Sequence, residues 1–146
     1  MARYLGDNWI APVLTPRNTP FFTAGEIKIQ FCRDCDHAQH PPDDVCYGCQ
    51  GRNLEFRSCP GTGRVESRAI VHHAIHPALK DKVPYVIAII SIDGAEGCSV
   101  QGNVIGCAPE EVRIGQAVNA VFEAVYDSVS EEQILLPQWT PAEARS

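Results

Sequence analysis

Nowhere in its 146 residues does the chain carry about 18 uninterrupted apolar residues, so no segment reads as a membrane-spanning helix. The opening residues, MARYLGDNWIAP, lack the basic stretch and apolar run of a secretory signal, so a cytoplasmic setting is the expectation. Cations are scarce: 12 Lys and Arg stand against 18 Asp and Glu, for a net charge of −6 with neutral histidines. The imbalance is largest after Ser58, where six basic residues face eleven acidic ones. Neutralising phosphates needs a basic face, so this composition counts against nucleic acid. Aromatic residues make up only 8%. There is no phosphate-cradling glycine loop and no Ser-His-Asp order, which removes the commonest signatures of a self-sufficient nucleotide enzyme or hydrolase. What is present is globular in character: 45% hydrophobic and 21% charged residues, in a length suited to one ordinary domain or two very small ones.

Cysteine is the exception to this scarcity. Seven occur, an odd number in a chain without a secretory signal, which points to metal before disulfides. Four follow a strict order: Cys32-Arg-Asp-Cys35, ten residues, then Cys46-Tyr-Gly-Cys49. Two residues between paired cysteines let both thiolates reach one tetrahedral ion at about 2.3 Å from each sulfur. Gly48 is read as supplying backbone freedom to the second knuckle, and Asp36 as the turn residue after the first. Four thiolates close the coordination sphere, so the expected ion is a structural zinc. Iron is chemically admissible there but implies electron transfer, for which nothing else in the sequence argues. His37 and His40 flank the first knuckle and are not expected to be ligands. Cys98 and Cys107 fall in strand-like stretches and read as buried small apolar residues, leaving Cys59 at a boundary.

The chain is expected to be mostly β. Residues 1–25 form an extended arm with a short helix over TPFFTA, capped by Thr19 with Pro20 in its first turn. Residues 26–58 are the zinc ribbon, with strands in IKIQF and NLEFR. Cys59-Pro-Gly-Thr-Gly63 marks a boundary, and residues 59–146 form the second domain. Its strand-like runs are RVESRAIVHHA, YVIAIISID, GCSVQGNVIG, AVNAVFEAVYD and ILLPQW, with a helical turn in APEEVRIGQAV and a hairpin loop at IDGAEG. Pro137 must sit on an edge or at a bulge. Five short strands with one late helical turn suit a small five-stranded OB-fold barrel.

Several residues are candidate ligand or partner contacts. Phe21 and Phe22 are adjacent on a short helix and either pack on the chain's own ribbon or dock to a partner. His72, His73 and His76 lie in IVHHAIHP. If the strand continues, His72 and His76 share one face, as exposed strand-end residues, ligand contacts or part of a second metal site. Arg64, Arg68, Lys80 and Lys82 are the only basic residues in the barrel's first half, available to a phosphate or simply solvated.

Taken together, CRDCDHAQHPPDDVCYGC, GTGRVES, HHAIHPALKDKVPYVIAIISIDGA, GNVIGCAPEEVRIGQAVNAVFE and LPQW make the chain resemble a known family from about Pro20 to Pro141. It is similar to the domain-of-unknown-function proteins that join a rubredoxin-like zinc ribbon to an acyl-CoA-associated OB-fold. One departure is Phe21-Phe22, where the family's pre-ribbon helix usually has a tryptophan beside its phenylalanine. The resemblance implies an accessory subunit that is not catalytic alone. Its partner would be a thiolase-superfamily enzyme, in a hetero-oligomer for which two copies of each chain is one stoichiometry. The implied chemistry is acyl transfer, Claisen or retro-aldol reaction on a CoA thioester, with steroid side-chain degradation as one version. Acyl-CoA would lie at the partner interface, with Phe21, Phe22, Arg64, Arg68, His72, His73 and His76 as candidate contacts. A hot-dog-fold enoyl-CoA hydratase is the alternative partner. Two other classes stay open: an OB-fold nucleic-acid module, and a small autonomous enzyme using a histidine or cysteine.

Overall fold

The computed structural model describes residues 11–126 and 133–142. Residues 1–10, the start of the expected arm, lie outside them. A five-residue helix α1 (Thr19–Thr23) precedes a ribbon of β1 (Lys28–Cys32), β2 (Ala38–Gln39) and β3 (Leu54–Ser58), in the order β2-β1-β3. The barrel follows as β4 (Thr62–Val71), β5 (Tyr85–Ile92), β6 (Ser99–Asn103), β7 (Ala117–Tyr126) and β8 (Gln133–Pro141). Single 3₁₀ turns occupy Pro77–Leu79 and Pro109–Glu111. The expected mostly β architecture, with helix, four-cysteine ribbon and OB-like sheet, is what the chain adopts.

The helix begins one residue earlier than expected. Asn18, not Thr19, is the cap residue, though its Oδ1 accepts from Thr15 N–H at 2.8 Å instead of from a helix amide, and the Thr19 hydroxyl donates to Thr15 O at 2.6 Å. Phe21 is buried against the chain's own core, and Phe22 packs partly under it.

The barrel sheet runs β6-β5-β4-β7-β8, all antiparallel. Burial alternates along β5, with Val86, Ala88, Ile90 and Ile92 inward, as period-two patterning dictates. A bulge between Val65 and Ser67 bends β4 between its two partners. Closure comes from a parallel bridge between Val104 and Trp139, with Ile105 N–H donating to Trp139 O at 2.7 Å. Pro137 lies on the sheet's edge strand, opposite Phe122 of β7. Gly102 of β6 has no Cβ because Trp139 occupies the space: a Cβ there would lie 2.9 Å from Trp139 Cδ1.

Two expectations fail at the end of β4. The strand stops at Val71, so His72 and His73 follow it in an irregular loop and share no strand face with His76, which starts the turn at Pro77–Leu79. Pro77, with its fixed φ and no N–H to donate, cannot carry a strand ladder through this stretch. Cys98 lies one residue before β6 and is buried, as expected of a small apolar residue, whereas Cys107 lies in the loop before Pro109–Glu111 and is half-buried.

Ribbon and barrel share one core. Ile27 and Ile29, fully buried on the ribbon, join Phe21 and the barrel residues Val65, Ile90, Val118 and Trp139 in a single apolar cluster.

Candidate functional site

The turn after β1 and a loop before β3 bring the four cysteines together. Their sulfurs all lie within 4.8 Å of one another, with Cys32–Cys49 at 3.6 Å and Cys35–Cys46 at 3.5 Å. A tetrahedral ion bonded at about 2.3 Å separates its sulfurs by roughly 3.8 Å, so the residues fit a zinc ion. Cys32 and Cys46 are buried and Cys35 and Cys49 exposed, which places the centre at the ribbon tip.

The two knuckles repeat one backbone pattern. Asp36 N–H donates to Cys32 O and Gln50 N–H to Cys46 O, both at 2.9 Å. Cys32 N–H then donates to His37 O at 3.0 Å and Cys46 N–H to Gly51 O at 2.8 Å. Asp36 and Gln50 take the left-handed conformation at φ 65° and 63°, so Asp36 fills the expected turn role. Gly48 serves a different purpose from the one expected. Its φ lies outside the left-handed region, and a Cβ there would come within 3.1 Å of the His37 ring. Its missing side chain makes room, while its N–H donates to Cys46 Sγ at 3.3 Å.

The thiols are mutually constrained. The Cys49 amide, then that of Gly48, draws Cys46 down to about 7. At Cys35 the His37 amide favours the thiolate, but the crowding thiol of Cys46, partial desolvation and the remaining thiols outweigh it and push Cys35 up to about 12. Four such thiols shed their protons together only when a dication compensates the charge. Cys32, Cys35, Cys46 and Cys49 would hold that ion, and a closed four-sulfur shell supplies cross-linking instead of an open catalytic position.

Sequence reading missed the supports of this centre. Arg57 lies 4.6 Å above the Phe31 ring and donates to Asp36 and Glu55 at 2.7 Å each, and Arg33 joins Glu55 at 3.0 Å. Arg57, with help from Arg33, holds the Glu55 carboxyl below its ordinary range. Gln30 and Gln39, polar residues with no motif around them, are buried and hydrogen-bonded to each other at 2.8 Å.

A second feature is a cleft of about 410 Å³ between α1, the ribbon loop at His40 and strands β5, β6 and β8. Phe21, Phe22, Ile87 and Leu136 wall it, with Tyr85, Gln101 and Asn103 supplying neutral polar groups, and among the described residues no charged one lines it. The Phe21 ring meets Phe22 edge-on at 5.1 Å and His40 at 4.8 Å. Burial drives His40 down to about 4, so its imidazole is neutral at pH 7. This has a testable consequence. Below pH 6.5 the unfolded chain takes up a proton that the folded chain refuses, so stability falls as pH drops from 6.5 toward 4, by up to about 3 kcal/mol. The melting temperature of the native chain should decline more steeply over that window than that of His40→Gln. Parallel declines would show that His40 is not the group responsible.

The other candidate contacts do not converge on this cleft. Arg64 is exposed and donates to Gly115 O at 3.1 Å. Arg68 borders a separate shallow depression with Arg113 and Glu110. His72 and His73 are exposed on the loop after β4, and His76 is half-buried.

Comparison with known proteins agrees with this geometry. Residues 23–55 match the ChsH2 rubredoxin-like zinc ribbon domain, and residues 57–123 match the ChsH2 C-terminal OB-fold domain. The chain is 31% identical over 135 residues to a probable enoyl-CoA hydratase alpha subunit of Thermomonospora curvata, covering 90% of this chain and 39% of that protein. It is 36% identical over 96 residues to a DUF35 domain-containing scaffold protein of Methanocaldococcus jannaschii, covering 64% of this chain and 65% of that one. The chain thus spans less than two thirds of either relative's length. Among solved structures, it matches a chain described as Ltp2-ChsH2(DUF35) aldolase with a TM-score of 0.73 and 29% identity, over 91% of this chain and all of that one. With the ribbon and the barrel each matched in order along the sequence, the chain belongs to the DUF35 family, with a ChsH2-type zinc ribbon followed by a ChsH2-type OB-fold domain.

Proposed function

We propose that the chain is a non-catalytic accessory subunit of an acyl-CoA-processing complex in the cytoplasm, with a thiolase-superfamily enzyme as its partner. The observation that carries this reading is the likeness, over 91% of this chain, to a chain of the Ltp2-ChsH2(DUF35) aldolase. The chemistry of the chain supports it. The four-cysteine centre would hold a structural zinc with no coordination position left for a substrate. The cleft offers apolar walls and neutral polar groups to the acyl or pantetheine part of a thioester at the partner interface, while the nucleotide's phosphates would need cations from elsewhere. The reaction centre then belongs to the partner, in acyl transfer, Claisen or retro-aldol chemistry, with side-chain removal from a steroid-like thioester as one version.

A second reading places a hot-dog-fold enoyl-CoA hydratase as the partner. It is favoured by the 31% identity over most of this chain to a probable enoyl-CoA hydratase alpha subunit. Nucleic acid is disfavoured by the outer face of β4, β5 and β6. The register places Ser67, Ala69, Ile87, Ile89 and Gln101 there, with Tyr85 as its aromatic residue and Arg64 as a cation at its margin. Single-strand binders combine a basic groove with several stacking aromatics.

Affinity purification of the tagged chain from its native cells, followed by mass spectrometry, tests the proposal. A near-stoichiometric thiolase-like protein is the expected companion, and the isolated chain should turn over no acyl-CoA. A hydratase in its place would favour the second reading. A chain that purifies alone and is active alone would overturn both.

A further inference from the structure

The second metal knuckle is approached by a loop, Pro41–Val45, that belongs to no strand. Its backbone still needs partners, because buried N–H and C=O groups are rarely left unpaired. Two buried side chains provide them. Gln30 of β1 and Gln39 of β2 are directly opposed in register, at 5% and 3% exposure. Gln39 Nε2 donates to Gln30 Oε1 at 2.8 Å and to Val45 O at 3.0 Å, and Gln39 Oε1 accepts from Tyr47 N–H at 2.9 Å. Gln30 Nε2 donates to Asp43 O at 2.8 Å, and Gln30 Oε1 accepts from Asp43 N–H at 2.9 Å. Both amides are rooted in the hairpin that carries Cys32 and Cys35. Together they grip the backbone at Asp43, Val45 and Tyr47, on both sides of Cys46.

We propose that the Gln30–Gln39 pair is a protein-made clamp that docks the second knuckle against the first, so that the four sulfurs are held in ligand geometry by hydrogen bonds as well as by the ion. The inference rests on the zinc reading above and adds positioning residues to it. Its consequence is kinetic. A ligand that swings away when one bond to the metal breaks opens the path for metal loss, whereas a clamped Cys46 stays in place to rebind. Outer-shell partners of this kind typically alter metal retention by about 10–100-fold.

The test is the rate of zinc release from the full chain into excess pyridylazoresorcinol, with metal content measured beforehand and the cobalt-substituted absorption spectrum recorded alongside. Gln39→Met keeps the volume and removes every bond of that amide. It is expected to release metal about 10-fold faster or more and to shift the cobalt ligand-field bands. Ile90→Val, which loosens the fully buried barrel core away from the knuckles, is the control and should leave release within about twofold of the native rate. If Gln39→Met does not fold, Gln39→Glu keeps the acceptor for Tyr47 N–H and removes the two donated bonds, and the same acceleration is expected. Native-like release from the glutamine variants, or equal acceleration by Ile90→Val, overturns the clamp. A native chain that carries no metal overturns the zinc reading, and the clamp with it.

Discussion

Cys46→Ser is expected to cut zinc from about one per chain to below about a tenth after dialysis against a mild chelator, and to melt the ribbon. Cys46 is fully buried, and its sulfur accepts the Gly48 N–H, so the position is built for a thiolate. A serine hydroxyl stays protonated where a cysteine ionises, and three sulfurs do not complete a tetrahedral shell. Structural zinc contributes about 10–16 kcal/mol in small finger peptides, comparable with the whole stability of a typical domain, about 5–15 kcal/mol. The damage should also spread beyond the ribbon, since Ile27 and Ile29 pack in the same cluster as Val65 and Ile90 of the barrel. Elemental analysis and a thermal melt check both parts. Cys98→Ser, at a buried position outside the centre, should soften the fold and keep the metal. Unchanged zinc affinity and stability in Cys46→Ser would show that the four-cysteine assignment is wrong.

Trp139→Ala is expected to be the most damaging single change within the barrel. Its side chain is fully buried, fills the space left by Gly102, and sits at the bridge to Val104 where the barrel closes. Removing a buried tryptophan costs about 3–5 kcal/mol, and in a chain of this size that lowers the melting temperature by roughly 10 °C or more. Trp139→Phe should cost much less. The indole Nε1 finds no acceptor among the described residues, so phenylalanine gives up volume without breaking a hydrogen bond. Differential scanning calorimetry on the three proteins decides the matter. A drop of less than about 3 °C for the alanine variant would mean that closure is held elsewhere. Equal losses for both variants would mean that the indole nitrogen does have a partner.

What could be read directly from the chain were features set by neighbouring residues. Cys32-x-x-Cys35 and Cys46-x-x-Cys49 bring their sulfurs to one point because a two-residue spacing and a hydrogen-bonded turn are local geometry. The Val- and Ile-rich run YVIAIISI marked a strand for the same reason, and Pro137, which lacks an N–H to donate, was confined to an edge or a bulge. Near-neighbour rules also misled. They extended β4 through His72 and His73, and they credited Gly48 with turning the backbone when its role is to leave space for the His37 ring, 11 residues away in the chain. Gln30 looked like the polar half of an alternating strand, yet it is buried because Gln39 stands opposite it across a turn and both meet a loop further along. Of the cleft's walls, the sequence had singled out only Phe21 and Phe22 as candidate contacts. Those walls come from α1, the His40 loop, β5, β6 and β8, and exist only once the ribbon has docked on the barrel. By itself the sequence determined the metal ligands' spacing, the strand-rich architecture and the family pattern. Only the tertiary structure decided which polar groups are buried as partners and where an uncharged cavity opens. Those outcomes depend on residues far apart in the chain meeting across strand registers, which no local periodicity encodes.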